Sequence, residues 1–196
     1  MQLRTSDPSY LQEVDKWFSL LLPKLEPMLY INGGPVLMVQ VENEYGSYYA
    51  CDYQYVTHLR DLHHHYLGPD VLLFSTDGNA DYFLKCGKID NVFATVDFGP
   101  GSDPIGSFNA QRVHQQFGPN VNSEYYTGWI DHWEQPHSTA TSSDVCETLD
   151  VMLSLNASIN LYELWLQFFE YLSDLMNRFQ QISTSRRNKF WIRRRS

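Results

Sequence analysis

Apolar residues recur every three or four positions between residues 8 and 22, and this spacing predicts an amphipathic helix. The motif at residues 6–8, Ser-Asp-Pro, supplies a capping side chain and a proline for the first turn. A turn at residues 32–35 follows, and residues 36–41 then form a nearly continuous apolar run. Because both faces of such a run are apolar, we predict a strand buried within a parallel sheet.

The same alternation continues through the rest of the chain up to Tyr162. Further helices are predicted over residues 53–67, 103–117 and 143–155, and further strands over residues 71–74, 92–96, 120–123 and 157–162. Strands separated by helices are typical of βα units around a parallel sheet, so the predicted fold class is α/β. The pattern holds five strands whereas a closed (β/α)8 barrel needs eight, and we therefore expect a partial barrel.

Two glutamates follow apolar lead-ins of the same kind. Glu44 ends the segment Val-Gln-Val-Glu-Asn-Glu, and Glu124 occupies a similar position eighty residues later. The carboxyl ends of parallel barrel strands meet at one rim, so the two carboxylates should lie close together. Hydrolysis of a glycosidic bond requires such a pair. The alternative is that both are ordinary solvent-facing acids at strand ends.

Three other acidic residues near these strand ends are interpreted as supporting groups. Asp77 and Asp97 are expected to cap loops or helices rather than to take part in chemistry. Strand alternation places Glu42 on the same face as Glu44, which indicates a group that supports the Glu44 side chain.

Length and charge limit the classes of partner. A chain of 196 residues has room for one domain with a real core. Its formal net charge is −9, but residues 1–162 contain 7 Lys and Arg against 20 Asp and Glu, whereas residues 163–196 contain 7 against 3. The acidic body argues against nucleic acid as the main partner. No run of 18 apolar residues is present, so no membrane span is expected, and the first residues lack the apolar core of a signal peptide.

Four other features have competing interpretations. Residues 63–65 are consecutive histidines, but neighbouring helix positions point in different directions, so we favour a solvated helix end over a metal site. The tripeptide Asn-Ala-Ser at Asn156 fits the glycosylation pattern but opens a predicted buried strand. Cys146 is interpreted as a buried thiol. The aromatic content of 15% fits either a sugar-stacking cleft or an aromatic-rich core.

Eight segments together resemble one known family. They are residues 33–35, 39–48, 76–78, 84–87, 95–99, 122–133, 137–139 and 157–162. In order and spacing they resemble the β-galactosidases of glycoside hydrolase family 35, over about residues 3–162. The resemblance implies a TIM barrel, of which this chain would contain roughly the fourth to eighth strands, and hydrolysis of terminal β-linked galactose with retention. It also implies a β-galactoside as partner, no cofactor, no metal, and a lysosomal or secreted location.

The resemblance further implies roles for individual residues. Glu44 matches the general acid/base, Glu124 matches the nucleophile, and Asn43 matches the residue that hydrogen-bonds the sugar 2-hydroxyl. The aromatic residues that line or border the galactose pocket are Tyr126, Tyr162 and Trp129. Cys51 and Cys86 match a family disulfide, for which two buried free thiols are the alternative.

The sequence departs from the family in three places. The first three barrel strands would precede residue 1, and Glu134 stands where the family usually has glycine. After Tyr162 the resemblance ends, so we predict a partial catalytic barrel over residues 1–162 and a separate helical and basic tail over residues 163–196. An alternative exon or a read-through intron is favoured as the origin of the tail over a nuclear-targeting or nucleic-acid-binding arm. The alternative to an enzyme is a catalytically inactive fragment that at most binds galactosides or a partner.

Overall fold

The structure, a computed structural model, describes residues 1–162 and alternates helices with strands. The helices are α1 (Pro8–Leu25), α2 (Tyr53–Leu67), α3 (Asp81–Gly87), α4 (Pro104–His114) and α5 (Ser142–Ser154). The strands are β1 (Val39–Asn43), β2 (Leu73–Gly78), β3 (Phe93–Asp97), β4 (Val121–Tyr126) and β5 (Ser158–Tyr162). Short 3-10 turns occupy Glu26–Met28, Tyr30–Asn32 and Tyr45–Ser47. The prediction of a helical tail over residues 163–196 lies outside the described residues.

The five strands form one sheet in which every neighbouring pair is parallel. Their spatial order, β1-β2-β3-β4-β5, is their order in the sequence. The α/β class and the five-stranded parallel sheet predicted from the apolar runs are therefore confirmed. Because all strands point the same way, their C-terminal ends lie along one rim of the sheet. Within residues 1–162, β1 and β5 are the two edges.

The apolar core consists of two clusters. The first joins α1 and α2 to β1 and β2 and includes the buried side chains of Leu22, Val56 and Leu59. The second joins α4 and α5 to β3 and β4 and includes Phe108 and Met152. Burial of each large apolar side chain contributes about 1.5–3 kcal/mol relative to exposure. The helices are thus packed firmly on the sheet, and the strand ends are fixed relative to one another.

The helix boundaries follow the capping residues. Asp7 and Asp52 each accept two hydrogen bonds from backbone N–H groups in the first turn of the following helix and so start α1 and α2. The bounds of α2 match the prediction, whereas α1 continues past Pro23 to Leu25 instead of ending at residue 22. The apolar spacing does not predict α3, because a helix of seven residues is too short to show that spacing. None of the helices in residues 1–162 is long and apolar enough to cross a membrane.

The strands extend further into the polar sequence than predicted. β2 continues to Gly78, although its apolar run ends at residue 74. β1 begins at Val39 rather than at residue 36 and continues to Asn43. Ladder hydrogen bonds are made by the backbone, so they persist where the side chains become polar. As a result Asp77 is buried within the sheet instead of lying in an exposed loop.

Two strands contain one extra residue close to their C-terminal ends. Between the paired positions Gln40 and Asn43, β1 advances by three residues while its partner β2 advances by two. Between the paired positions Asn122 and Glu124, β4 advances by two residues while its partner β3 advances by one. A bulge of this kind re-aims the side chains and interrupts the two-residue alternation of a strand. Each bulge lies at or directly before a glutamate, Glu124 in β4 and Glu44 after β1.

A disulfide joins Cys51, in the segment after β1, to Cys86 on α3. The pairing implied by the family resemblance is thereby confirmed, with the two α-carbons 5.1 Å apart. Gly46 approaches α3 so closely that a β-carbon there would lie 1.9 Å from the carbonyl oxygen of Phe83. The disulfide and this contact fix the turn that follows Glu44 against α3.

His63 corrects the interpretation of residues 63–65 as a solvated helix end. Its side chain is buried, with Nδ1 2.7 Å from the carbonyl oxygen of Leu59 and the ring edge-on to Phe18. Burial lowers the pKa of His63, which favours the neutral ring. Helical spacing brings the first histidine of the run onto the apolar face of α2, because His63 follows the buried Leu59 by four residues.

Candidate active site

Glu44 follows β1 directly, and its backbone turns sharply there. Its φ and ψ are 49° and 39°, in the left-handed region that residues other than glycine seldom occupy. Its N–H donates a 2.8 Å hydrogen bond to the carbonyl oxygen of Thr76 on β2. Such backbone strain costs about 1–3 kcal/mol and is common at functional sites. The turn gives the half-buried Glu44 side chain a direction that a continuing strand would not give.

Glu124 lies within β4, directly opposite Asp97 on β3, and only 8% of its surface is exposed. Its backbone N–H donates to the Asn122 side chain at 3.2 Å. Burial raises the pKa of Glu124, the hydrogen bond from Tyr126 opposes that rise, and the negative charge of Glu44 adds to it. Burial and the neighbouring acid together therefore make the charged form of Glu124 more costly than it is in water.

The phenol of Tyr126 bridges the two glutamates. Its hydroxyl oxygen lies 2.8 Å from Oε2 of Glu124 and 3.1 Å from Oε1 of Glu44. These two distances place an upper bound of 5.9 Å on the separation of the two carboxyl oxygens. A phenol carries one proton, so Tyr126 donates to only one of them, and the other contact needs a proton on the carboxyl group. Burial and the surrounding carboxylates raise the pKa of Tyr126, which keeps the phenol protonated.

Asp77 supports the turn after Glu44. Its Oδ1 accepts a 2.7 Å hydrogen bond from the N–H of Gly46, and its carboxyl group lies against Gly87, next to the disulfide. Burial raises the pKa of Asp77 to about 7, although the hydrogen bond from Gly46 opposes the rise. These contacts agree with the structural role expected for Asp77.

Asp97 is buried in the sheet beside Glu124, which the sequence interpretation did not predict. It caps neither a loop nor a helix: its side chain is 7% exposed, and Thr76 Oγ1 lies 3.4 Å from its Oδ2. Burial raises the pKa of Asp97 to about 7, and the charges of Glu44 and Glu124 add to the rise. The cap interpretation is therefore wrong for this residue. The available signal was its position at the end of β3, beside the strand that carries Glu124.

Tyr162 and Trp129 lie at the rim beside Tyr126. Both rings are edge-on to the Tyr126 ring, with centroids 5.9 Å away for Tyr162 and 5.2 Å away for Trp129. Tyr162 is 42% exposed and Trp129 is 61% exposed, so part of each side chain is accessible to a ligand. Asn43 is also exposed, and its Oδ1 accepts a 2.9 Å hydrogen bond from the amide of Gln40. The structure thus brings the three aromatic residues into one cluster next to the glutamates.

Glu42 does not support Glu44 from the same face of the strand, and that prediction is wrong. Its carboxylate accepts hydrogen bonds from Arg4 at 2.9 and 2.8 Å and from the Tyr55 hydroxyl on α2 at 2.9 Å. The bulge in β1 and the left-handed turn at Glu44 break the alternation on which the prediction depended. Sequence reasoning also missed Arg4, whose chain position gave no sign of a contact with β1.

An open cleft of about 460 Å³ lies beside Tyr126. It is lined by the loop after β3 and the loop between β4 and α5, including residues 99–102, Trp129 and residues 138–140. The lining combines backbone, hydroxyl and aromatic groups, which are the groups that bind sugars through hydrogen bonds and stacking. Within residues 1–162, no group of three or more His, Cys, Asp and Glu side chains could hold a metal ion.

A parallel α/β sheet with two acids close together at its C-terminal rim is an arrangement that glycoside hydrolases use. The profile of the glycosyl hydrolases family 35 matches residues 1–165. The chain belongs to this family, which confirms the resemblance noted in the sequence.

Curated relatives agree with this assignment. Over 160 residues the chain is 56% identical to the beta-galactosidase of Canis lupus familiaris and 55% identical to that of Homo sapiens. It is 51% identical over 162 residues to the beta-galactosidase-1-like protein of Mus musculus. Each match covers 82% or 83% of this chain but only 24% or 25% of the relative. The chain thus spans about a quarter of the length of these proteins.

Proposed function

We propose that the chain is a catalytic segment of a β-galactosidase that hydrolyses terminal β-linked galactose with retention. Glu44 is the general acid/base and Glu124 is the nucleophile. The observation that carries the proposal is the Tyr126 bridge, which limits the separation of the two carboxyl oxygens to 5.9 Å. Retaining glycosidases hold their carboxyl groups about 5–5.5 Å apart and inverting ones about 6.5–9.5 Å apart. The bound lies below the inverting range and supports direct attack by one carboxylate.

In the first step, the carboxyl proton of Glu44 passes to the glycosidic oxygen while Glu124 attacks the anomeric carbon. The bond to the leaving alcohol breaks, and an ester forms between the sugar and Glu124. In the second step, Glu44 removes a proton from water, the water oxygen attacks the same carbon, and the ester bond to Glu124 breaks. Tyr126 donates its hydroxyl proton to Glu124 and orients it in the free site.

The proposed substrate is a β-galactoside, and its galactose would lie against the aromatic cluster at the rim. Asn43 binds the sugar 2-hydroxyl, and Tyr162 and Trp129 border the ring beside Tyr126. The exposure of Tyr162 and Trp129 supports this placement, as does the position of Asn43 at the end of β1. Specificity for galactose rests on the relatives, which are named beta-galactosidase. The reaction uses carboxyl groups and water, so the proposal needs no cofactor or metal.

The proposal treats residues 1–162 as roughly the fourth to eighth strands of a TIM barrel and residues 163–196 as a separate tail. The consecutive parallel order of the strands supports a barrel segment, and so does the small share of each relative that the chain covers. A lysosomal or secreted location is part of the proposal, because the disulfide between Cys51 and Cys86 forms in oxidising compartments.

A second candidate is a non-catalytic fragment that binds a galactoside or a protein partner. Within the described residues, β1 and β5 each have one side without a neighbouring strand. Such edges favour association with another chain over a stable monomer. This candidate keeps the family assignment and differs only in the activity of the chain by itself.

The test compares the 196-residue chain with a chimera, here called the canine chimera, in which residues 1–162 replace the matching segment of the canine beta-galactosidase. Both are assayed with a chromogenic β-galactoside and the matching β-glucoside. We expect the canine chimera to hydrolyse the galactoside, and Glu124→Gln to abolish turnover in it. Glu147→Gln, an exposed acid on α5, is the matched control and should retain turnover.

Two outcomes separate the candidates. Normal turnover by the Glu124→Gln chimera would contradict the assignment of the nucleophile. An active chimera together with an inactive 196-residue chain would favour the non-catalytic fragment for this chain while leaving the assignment of Glu44 and Glu124 intact.

A further inference from the structure

Asp97 is a buried carboxyl group beside the proposed acid pair, and it has no role in the proposed reaction. It lies opposite Glu124 across β3 and β4 and opposite Gly78 across β2 and β3. Only 7% of its surface is exposed. A charged carboxylate at such depth is stable only when cations or several hydrogen-bond donors surround it.

The titratable groups that face Asp97 within the described residues are acids and a phenol. They are Glu44 after β1, Asp77 on β2, and Glu124 and Tyr126 on β4. The proton of the phenol is already used between Glu44 and Glu124. An ionised Asp97 would therefore add a further negative charge among acids.

Three hydroxyl groups below the rim, those of Thr76, Thr95 and Ser123, form a hydroxyl cluster next to Asp97. Thr95 donates to the carbonyl oxygen of Ser75 at 2.8 Å, and Ser123 Oγ lies 2.7 Å from Thr95 Oγ1 and 2.5 Å from Thr76 Oγ1. Each hydroxyl carries one proton, so these three short contacts use all three protons of the hydroxyl cluster.

The contact between Thr76 and Asp97 at 3.4 Å then has no hydroxyl proton left. Ser123 Oγ also lies 3.4 Å from the carbonyl oxygen of Val96, and this contact likewise has no hydroxyl proton available to it. A carbonyl oxygen cannot supply a proton, whereas a carboxyl group can. Asp97 is thus the member of this network that is able to complete it as a donor.

We propose that Asp97 is neutral in the folded protein at acidic pH, including conditions in which an ordinary aspartate is already ionised, and that it donates its carboxyl proton to Thr76. Glu44 and Glu124 then share the rim without a further negative charge at Asp97. Asp97 is a positioning residue: it holds the hydroxyl cluster under Glu124 and adds no negative charge beside the acid pair. Its catalytic consequence rests on the proposed function, whereas its proton is measurable without any activity.

Burial, and then the charges of Glu44 and Glu124, raise the pKa of Asp97 to about 7, so the carboxyl group keeps its proton through acidic pH. An aspartate in an unfolded chain has a pKa of about 4. Because the folded pKa is the higher one, the stability that the proton contributes is complete below pH about 4 and is lost as pH rises toward 7. Within that window, the equilibrium constant for unfolding should rise up to about tenfold per pH unit through Asp97 alone. Asp97→Asn, whose amide also donates, should remove this share of the pH dependence.

The decisive test is a carbon-13 NMR titration of the side-chain carboxyl groups in the full 196-residue chain. Wild type and Asp97→Asn are compared, with Asp90→Asn, an exposed acid after α3, as the matched control that should change neither curve. We expect the Asp97 carboxyl carbon to titrate near pH 7. In Asp97→Asn, the titration midpoint of Glu124 should stay within about 0.3 unit of wild type, because a neutral neighbour has been replaced by a neutral neighbour.

Two results would overturn the proposal. One is an Asp97 midpoint below about 5, which would be close to that of an ordinary aspartate. The other is a fall of about one unit in the Glu124 midpoint in Asp97→Asn, since loss of a negative neighbour lowers the pKa of a carboxyl group. Through-bond assignment yields the Asp97 midpoint from wild type alone, so the result does not require that the variant folds.

The titration and the activity assay fail independently. An Asp97 midpoint near 7, found together with an inactive canine chimera, would support this inference and contradict the proposed function. An active canine chimera with an Asp97 midpoint below about 5 would do the reverse.

Discussion

The guanidinium group of Arg4 donates a 2.8 Å hydrogen bond to the carbonyl oxygen of Asn43, so the start of the chain is bonded to the strand end that precedes Glu44. The same group forms a two-pronged contact with Glu42 and lies over the ring of Tyr45. Arg4 therefore holds the end of β1. Loss of Arg4 should lower the free energy of unfolding and change the position of the Glu44 side chain.

Arg4→Lys should lower the free energy of unfolding by about 1–3 kcal/mol. Lysine keeps the positive charge but cannot reproduce the two parallel hydrogen bonds to Glu42, whose side chain is mostly buried and would lose at least one of them. Urea denaturation of the 196-residue chain measures the change. Arg60→Lys is the matched control, because its partner Asp61 is exposed and surface pairs are worth about 0–1 kcal/mol. Equal losses in both variants would contradict a special role for Arg4.

Tyr126→Phe should lower kcat in the canine chimera by about 10²-fold with a smaller change in KM, because it removes a hydrogen-bond donor aimed at the nucleophile. Its neighbour Tyr125 offers a matched control. The Tyr125 hydroxyl is buried and donates to the carbonyl oxygen of Val145, away from the glutamates. Tyr125→Phe should cost about 1 kcal/mol of stability and leave kcat unchanged. Comparable kcat losses in the two variants would argue that the Tyr126 bridge has no part in the reaction.

The sequence predicted those features that depend on burial alone. The bounds of α2 match because the apolar spacing of residues 53–67 follows the face that packs on the sheet. The five strands and their parallel pairing follow from apolar runs separated by helices. The sequence also predicted the positions of Glu44 and Glu124 at the rim, since both follow apolar lead-ins.

The sequence could not predict what depends on register and on distant partners. The bulges in β1 and β4 leave no trace in the apolar pattern. The bulge in β1, together with the left-handed turn at Glu44, is the reason that Glu42 contacts Arg4 instead of supporting Glu44. The Tyr126 bridge joins residues 82 positions apart in the sequence. Asp97 belongs beside Glu124 because two strands pair in one particular register, which a one-residue shift would change.

Replacing Cys51 and Cys86 with serine should lower the free energy of unfolding by about 4 kcal/mol in the loop-entropy account, because the bond closes a loop across 35 positions. Urea denaturation with and without a reductant measures this. Wild type should lose a similar amount in reductant, whereas the double variant should be insensitive to it. Cys146→Ala serves as the control and should keep the response to reductant, since Cys146 lies outside the disulfide. A reductant effect that persists in the double variant would contradict the pairing.

Glu134→Gly should raise the free energy of unfolding by about 0.5–1 kcal/mol. Glu134 has a φ of 61°, in the left-handed region where glycine is unstrained and other residues pay about 1–2 kcal/mol. Glycine also loses more chain entropy on folding, which reduces the net gain. The family resemblance places glycine at this position, so the substitution restores the residue that the backbone favours. Glu134→Ala removes the same charge but keeps a β-carbon, and urea denaturation of the two variants separates the causes. A gain in the alanine variant as large as in the glycine variant would assign the effect to charge instead of backbone conformation.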